Sequence, residues 1–539
     1  MTDGNLAMTI SSSGHYSTIA TLGMTTGKYY WEVGAGTGWS NDPAWGIVGE
    51  EAEHYDDQTN SVPGAWVRNN GRRYYEGTEG DVWMTASQMN VNSGNTLGLA
   101  YDGFLGTLQV FINGIDQGIA FTGLKKGMTR NLGSGTSNRW FPAFKMYDGG
   151  PINVNFGQKP FKFAPPKGFL SLCTANIPRP GVARPTNYVG LSSYVGNGSC
   201  NSVSDLNFKP YLIWVKDAND GDNWITVNSV TGIGNMTKLN EPEKEFSETG
   251  DFTSFDDKGF SFGLYNNINQ SSITYTTYCW KAGGNKNTFN VDDVGYASAA
   301  DAGLDGGTID PIAASVGTQQ GLSIIKYTGT GSAGTIAHGL SQKPSFMTFR
   351  NLPNPAGSLN WPVYHQSKGA TGYLRLDQNN AWGAKTSVFN DTEPTSSVLT
   401  IGSDSDINIS GEAYMGWIWH DVEGLQKFGI YTGNGQSGNG AYVELGFKPA
   451  LLICKNLSTS NWVVWDNVRS TYNLRNNYYY INGPDASTND GTSGVDFLAN
   501  GFKMYNSYTD ANADNNEYVY MAWAETPFRN MYGATGPGG

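Results

Sequence analysis

Residues 431–456 read YTGNGQSGNGAYVELGFKPALLICKN. A Gly/Asn turn follows the end of an apolar-aromatic strand, a Lys-Pro pair sets the next start, and the element after it (ALLIC) is apolar on both faces. Successive strand side chains point to opposite faces, so a run of this kind predicts a central strand buried on both sides. The same grammar is written twice upstream. One copy runs from Tyr194 (YVGNG) through Lys209-Pro210 (FKPYLIWVKD) and Asn223-Trp224 to Trp280 (YTTYCWKAGG). The next runs from Tyr327 (YTGTG) through Lys343-Pro344 (QKPSFMTFRN) and Asn360-Trp361 to Trp419 (YMGWIWHDV). The third continues through Lys448-Pro449 and Asn461-Trp462 to Trp523 (YVYMAWAETPF). Repetition of a whole module points to an extended, multivalent or structural protein, because one catalytic site rarely needs three copies of its scaffold. The anchors Trp280, Trp419 and Trp523 are expected in cores.

At 539 residues the chain is too long for a single core. Gly is abundant (71), aromatics reach 13% and charged residues only 15%, the balance of short strands joined by many turns. The fold class expected is all-β, a multi-domain chain of antiparallel sandwiches. Residues 1–178 read as one β-sandwich, with alternating segments KYYWEVGAG (28–36), WGIVGE (45–50), WVRNNGRRYY (66–75), NTLGLAYD (95–102), LQVFINGI (108–115) and WFPAFKMYD (140–148). Asn70-Gly71 and Asn113-Gly114 are expected as tight primed turns, with positive φ at both central positions. Repeat modules are expected at 179–284, 321–424 and 425–529, with a Gly-rich tail at 530–539. Residues 285–320, rich in Ala, Gly, Asp and Ser, read as a linker or arm between the first two repeats.

The ordered segments of the first 160 residues, from GKYYWEV through WGIVG, NNGRRYY, NTLGLAYD and LQVFINGI to WFPAFKMYDGGPINVNFG, resemble SPRY domains, which are concanavalin-like sandwiches. The repeats, most strongly YTGNG…GFKPALLICKN…NW…NGFKMYNS…YVYMAWAETPF, resemble modules of bacteriophage structural proteins, particularly tail-fibre-like proteins. That resemblance implies a virion component and carries over no catalytic residues.

A net charge of −13 argues against nucleic acid as a partner, and the basic residues Arg68, Arg72 and Arg73 make one local patch at most. The start, MTDGNLAMTI, lacks the layout of a signal peptide, and no apolar run approaches membrane-spanning length. Synthesis in a host cytoplasm and release by lysis, without membrane insertion, are expected. The four cysteines, Cys173, Cys200, Cys279 and Cys454, show no zinc spacing and no disulfide framework.

No GxSxG, Walker or dinucleotide motif is present, and none of the five histidines has a nucleophile beside it by motif. The acidic run Glu50, Glu51, Glu53, Asp56 and Asp57 is the densest candidate for a carboxylate pair, and its polar, turn-like setting reads as a solvated loop. The oxygen-rich loops at 217–222 and 510–515 lack the EF-hand glycine and distal Glu, so Asx turns account for them. No catalytic residue, cofactor or metal is expected. Flat rings flanked by polar groups suit sugar recognition, and the candidates are Trp39, Trp66 and Tyr75 in the first domain, Trp382 in the second repeat, and Tyr505 and Tyr508 in the third. The sequence thus leads to a virion protein, a tail fibre or adhesin binding a host-surface glycan or protein without catalysis. It would contact other virion proteins and form a homo-oligomer, with a trimer favoured by analogy with phage fibres. A capsid-surface decoration protein and a polysaccharide-degrading tail enzyme are the alternatives.

Overall fold

The computed structural model describes residues 7–10, 16–20, 22–24, 27–35, 43–49, 64–75, 78–85, 95–124, 140–146, 149–173, 176, 181–248, 250–355, 357–489, 491 and 493–527. The chain is built of antiparallel β-sandwiches and divides into two compact units at Arg179/Pro180.

The first unit has two sheets. One orders Ala7–Ile10, Gly149–Asn155, Lys28–Ala35, Thr96–Asp102, Thr107–Ile112 and Ile115–Phe121, and the other Tyr16–Ile19, Trp140–Met146, Ala44–Gly49, Ala65–Arg68, Arg72–Tyr75 and Thr78–Val82. Alternation along the strands buries Trp31, Val33, Trp45, Ile47, Ala65, Val67, Leu97 and Leu99 in one core. At Asn113-Gly114 both residues take positive φ, 49° and 77°, as a primed turn requires. The Asn70-Gly71 expectation needs correction. Only Gly71 is left-handed (φ 80°), its N–H donates to Arg68 O (2.9 Å), and the connection is the three-residue loop 69–71.

In the second unit each repeat is a large sheet backed by a small one. The first repeat orders Val189–Val195, Thr274–Trp280, Leu212–Asp217, Ile225–Asn228 and Met236–Lys238. In the second the corresponding series is Leu322–Thr328, Ala413–Trp419, Phe346–Asn351, Pro362–His365 and Gly372–Arg375. The third runs Gln426–Thr432, Glu517–Pro527, Phe447–Asn456, Trp462–Asp466 and Asn477–Tyr480. The strand after each Lys-Pro is buried on both faces. In the first repeat Ile213 and Val215 pack with Phe260 and Phe262 of the small sheet, whereas Leu212 and Trp214 point into a core shared by all three repeats.

Two sequence expectations change here. The repeats are not three separate domains, because their inward faces make one common core. Residues 285–320 are also not a linker. Phe289–Val291, Val294–Tyr296 and Ala313–Gly317 extend the sheet of the second repeat, and Phe289, Leu304, Ile309, Ala314 and Val316 are buried there. Their signal in the sequence is Asp292-Asp293, a two-residue hairpin turn with φ of 49° and 65° between two short strands.

Candidate functional site

The shared core is organised around the last strand of each repeat. Residues 276, 278 and 280 point inward, as do 415, 417 and 419, and 519, 521 and 523. The sheet register sets Leu212, Phe346 and Leu451 opposite Trp280, Trp419 and Trp523. The three anchor rings meet in a closed triangle, with centroids 6.2 Å (Trp280–Trp419), 6.0 Å (Trp419–Trp523) and 5.4 Å (Trp280–Trp523) apart, all edge-to-face.

The Asn-Trp pairs close the ring at its seams. Trp224 Nε1 donates to Tyr480 O (2.9 Å), Trp361 Nε1 to Lys238 O (3.2 Å) and Trp462 Nε1 to Arg375 O (2.7 Å). Each indole reaches a different repeat and the contacts run in one sense, so the repeats are related by an approximate threefold axis. The main-chain N–H of each of these tryptophans is held by Asn240, Asp377 or Asn482.

The Gly/Asn turns are local devices. Tyr194, Tyr327 and Tyr431 stack on Tyr275, Tyr414 and Tyr518 at 5.2, 5.4 and 5.0 Å. Their hydroxyls donate to Ile268 O, Ile407 O and Ala511 O. Gly198, Gly331 and Gly435 take left-handed φ of 62°, 75° and 63°, and each donates its N–H to the main chain of Asn269, Asn408 or Asn512. The recurring sequence anchors are therefore consumed by folding.

A third set repeats as buried cations. Lys216, Arg350 and Lys455 occupy equivalent positions and are fully buried. Lys216 Nζ donates to Asp217 O (2.9 Å) and lies 5.4 Å from the Tyr479 ring centre, across a seam. Arg350 donates to Leu359 O and to Glu243 O of the first repeat. Lys455 donates to Asn456 O and Ser458 O. Burial lowers both lysines to about 8 and Arg350 to about 10. Their signal in the sequence is a basic residue ending the same doubly apolar strand in all three copies.

The predicted aromatic candidates scatter. Trp39 and the acidic run at 50–57 lie outside the described residues. Trp66 is corrected: it is 3% exposed and packs with Ala44, Val48, Tyr74 and Phe141, so its ring offers no face to a ligand. Tyr75 is 43% exposed and stacks on Phe121 at 6.3 Å. In the second unit, Trp382 is half-buried at the seam between the second and third repeats. Its main-chain N–H donates to Leu457 O (2.9 Å), and Lys368 Nζ lies 5.4 Å from its ring centre. Lys368 in turn pairs with Glu517 of the third repeat at 3.4 Å. Tyr505 is 40% exposed. Tyr508 shares a 2.5 Å hydroxyl–hydroxyl hydrogen bond with Tyr480, and burial pushes its phenol up to about 12. Of this set in the second unit, Trp382 beside its cation stays partly exposed and Tyr505 is exposed.

The other polar candidates are structural. Asp217 accepts the N–H groups of Asn219 and Asp220, and Asp510 accepts from Ser460 and Asn461. Burial drives His338 and His365 down to about 4, so both are neutral near pH 7, bonded to Thr395 O and Tyr520 O. Cys279 and Cys454 are buried, and burial raises both thiols.

A protein family described as "Domain of unknown function (DUF7483)" matches residues 184–527, the three repeats together with 285–320. Among solved structures, the chain is similar to the SPRY domain of human HERC1, at 16% identity and a TM-score of 0.24, over 30% of this chain and 94% of that one. No curated protein matches.

Proposed function

Taking as premise that the chain belongs to the DUF7483 family, we propose that it is a bacteriophage virion structural protein, a tail fibre or adhesin that binds the host surface without catalysis. The observation that carries this reading is the closed ring: the residues written three times are spent on the tryptophan triangle, the seam bonds and the turns. Such a body is a rigid platform, and recognition falls to the segments that differ between copies. Trp382 with Lys368, and Tyr505, lie in such segments, and an aromatic face beside polar groups suits a sugar ring. Weak single contacts gain strength from many copies on one particle, and a homotrimer alongside other virion proteins supplies them.

The test is location and binding. Purified particles are probed by mass spectrometry and immunogold labelling, and the full-length protein is titrated with host-surface polysaccharide. Labelled tail tips and saturable binding without release of oligosaccharide are expected. Labelling of capsid faces would move the protein to a decoration role, and released oligosaccharide would sink the non-enzymatic reading.

A further inference from the structure

In each repeat one strand flanks the tryptophan strand on the side away from the Lys-Pro strand: Val189–Val195, Leu322–Thr328 and Gln426–Thr432. The register makes Leu191, Ile324 and Phe428 equivalent, and likewise Ser193, Lys326 and Ile430. Since Lys281 N donates to Tyr188 O, alternation turns the main-chain groups of Leu191 and Ser193 away from the neighbouring strand.

The three edges differ in what meets those groups. In the second repeat Ala313–Gly317 adds antiparallel, with Ser315 opposite Ile324, and Ile312 N donates to Lys326 O (2.7 Å). In the third, side chains of the second repeat block the edge: Phe428 N donates to Asp421 Oδ1 (2.8 Å), and Phe428 O accepts Gln366 Nε2 (2.7 Å). In the first, among the described residues, the main-chain groups of Leu191 and Ser193 have no such partner. Only at the strand's end does Asn201 Nδ2 reach Val195 O (3.4 Å). Ser193 is exposed and Val195 is 59% exposed. The strand, VGLSSYV, carries neither charge nor proline, the usual guards of an open edge.

We propose that Val189–Val195 is a docking edge for an extended, uncharged segment of a separate protein, which adds to it antiparallel as Ala313–Gly317 adds to Leu322–Thr328. The occupant's chemistry is read from the strand in the equivalent place: Ala-Ala-Ser-Val-Gly, small and uncharged throughout. The filled edge needs only five residues of extended chain, which an arm of a partner delivers without bringing a folded body to the sheet. This inference stands whether or not the protein resides in a particle.

The probe is a labelled synthetic peptide copying residues 311–317, PIAASVG, titrated into the full chain. Saturable binding is expected, with amide exchange at Leu191 and Ser193 slowed about tenfold or more. Ser193→Pro, which removes an outward N–H, should weaken binding about tenfold, while Ser193→Ala, which removes only the hydroxyl bond to Tyr275 O (3.0 Å), should leave binding unchanged. Exchange at Leu191 and Ser193 that is indifferent to saturating peptide overturns the proposal. So does sedimentation showing that the full chain self-associates and that Ser193→Pro alone makes it monomeric, for then the occupant is a second copy. Should Ser193→Pro misfold, the exchange measurement on the unaltered chain decides.

Discussion

The indole of Trp361 in the second repeat donates its N–H to the main-chain oxygen of Lys238 in the first, at 3.2 Å. The hydrogen bond removes a buried donor and pins one seam of a ring whose other seams use Trp224 and Trp462 alike. Trp361→Phe keeps most of the apolar volume and leaves Lys238 O short of a partner. A loss of about 1–2 kcal/mol is expected, measured by denaturant unfolding of the full chain.

The anchor triangle makes a larger prediction. Trp419 touches Trp280 and Trp523, one ring from each of the other repeats. Trp419→Ala therefore removes packing from all three at once, at a cost of about 3–5 kcal/mol. The three repeats should lose structure together, and hydrogen exchange would report it as parallel loss of protection in Thr274–Trp280, Ala413–Trp419 and Glu517–Pro527. Loss confined to the second repeat would show that the ring is not cooperative.

What the sequence disclosed follows from the reach of its signals. Period-two alternation and doubly apolar strands are local, so the sandwich of the first unit and the order of strands in each repeat were legible. That Trp280, Trp419 and Trp523 converge was not, because each signals only "buried" and convergence depends on how three sheets close. The strands of 285–320 were hidden by small residues: Ala314 and Val316 carry little hydrophobic signal alone, and their burial comes from pairing with Leu322–Thr328. Trp66 looked available beside arginines, yet Arg68 spends its guanidinium on Tyr74, 4.6 Å from the ring centre and 2.9 Å from the hydroxyl, over a buried face. Trp382 was readable because Asn, Ala and Gly flank it and no alternation surrounds it.

Asp377 stands where the other repeats have Asn240 and Asn482. Those amides also donate, to Asn223 and Asn461, whereas the second oxygen of the buried Asp377 finds no donor. Burial pushes its carboxyl up to about 6, against the pull of the Trp361 N–H and Arg350. A folded value above the unfolded one, about 3.9, means that folding resists the charge. The stability contribution is complete below about pH 4 and is lost as pH rises through 6. Asp377→Asn should flatten that slope and gain about 1–3 kcal/mol above pH 6, measured by denaturant unfolding between pH 4 and 8.

If Trp382 and its neighbouring cation hold a sugar, Trp382→Ala should weaken polysaccharide binding about tenfold or more while leaving the melting temperature within a few degrees. The ring is half-buried at a seam, so Lys368→Gln serves as the second arm. It removes the charge over the ring and its pairing with Glu517, and should weaken binding less than the ring deletion does. Equal affinity in wild type and both variants would take recognition away from this seam.

Lys216 supplies the opposite pH signature. Burial lowers its ammonium to about 8, although Asp217 and Asp222 pull it upward. A folded value below the unfolded one, about 10.4, means that folding resists the positive charge. The penalty is fully present below pH 8 and is relieved as pH climbs from 8 to 10.4. Lys216→Met keeps the length of the side chain and removes the titration, at the cost of the hydrogen bond to Asp217 O and the contact with the Tyr479 ring. The stability of wild type relative to Lys216→Met should rise by about 2–3 kcal/mol between pH 7.5 and 10. Taking the difference cancels the tyrosines that titrate in both proteins, and a pH-independent difference would mean that water reaches the seam.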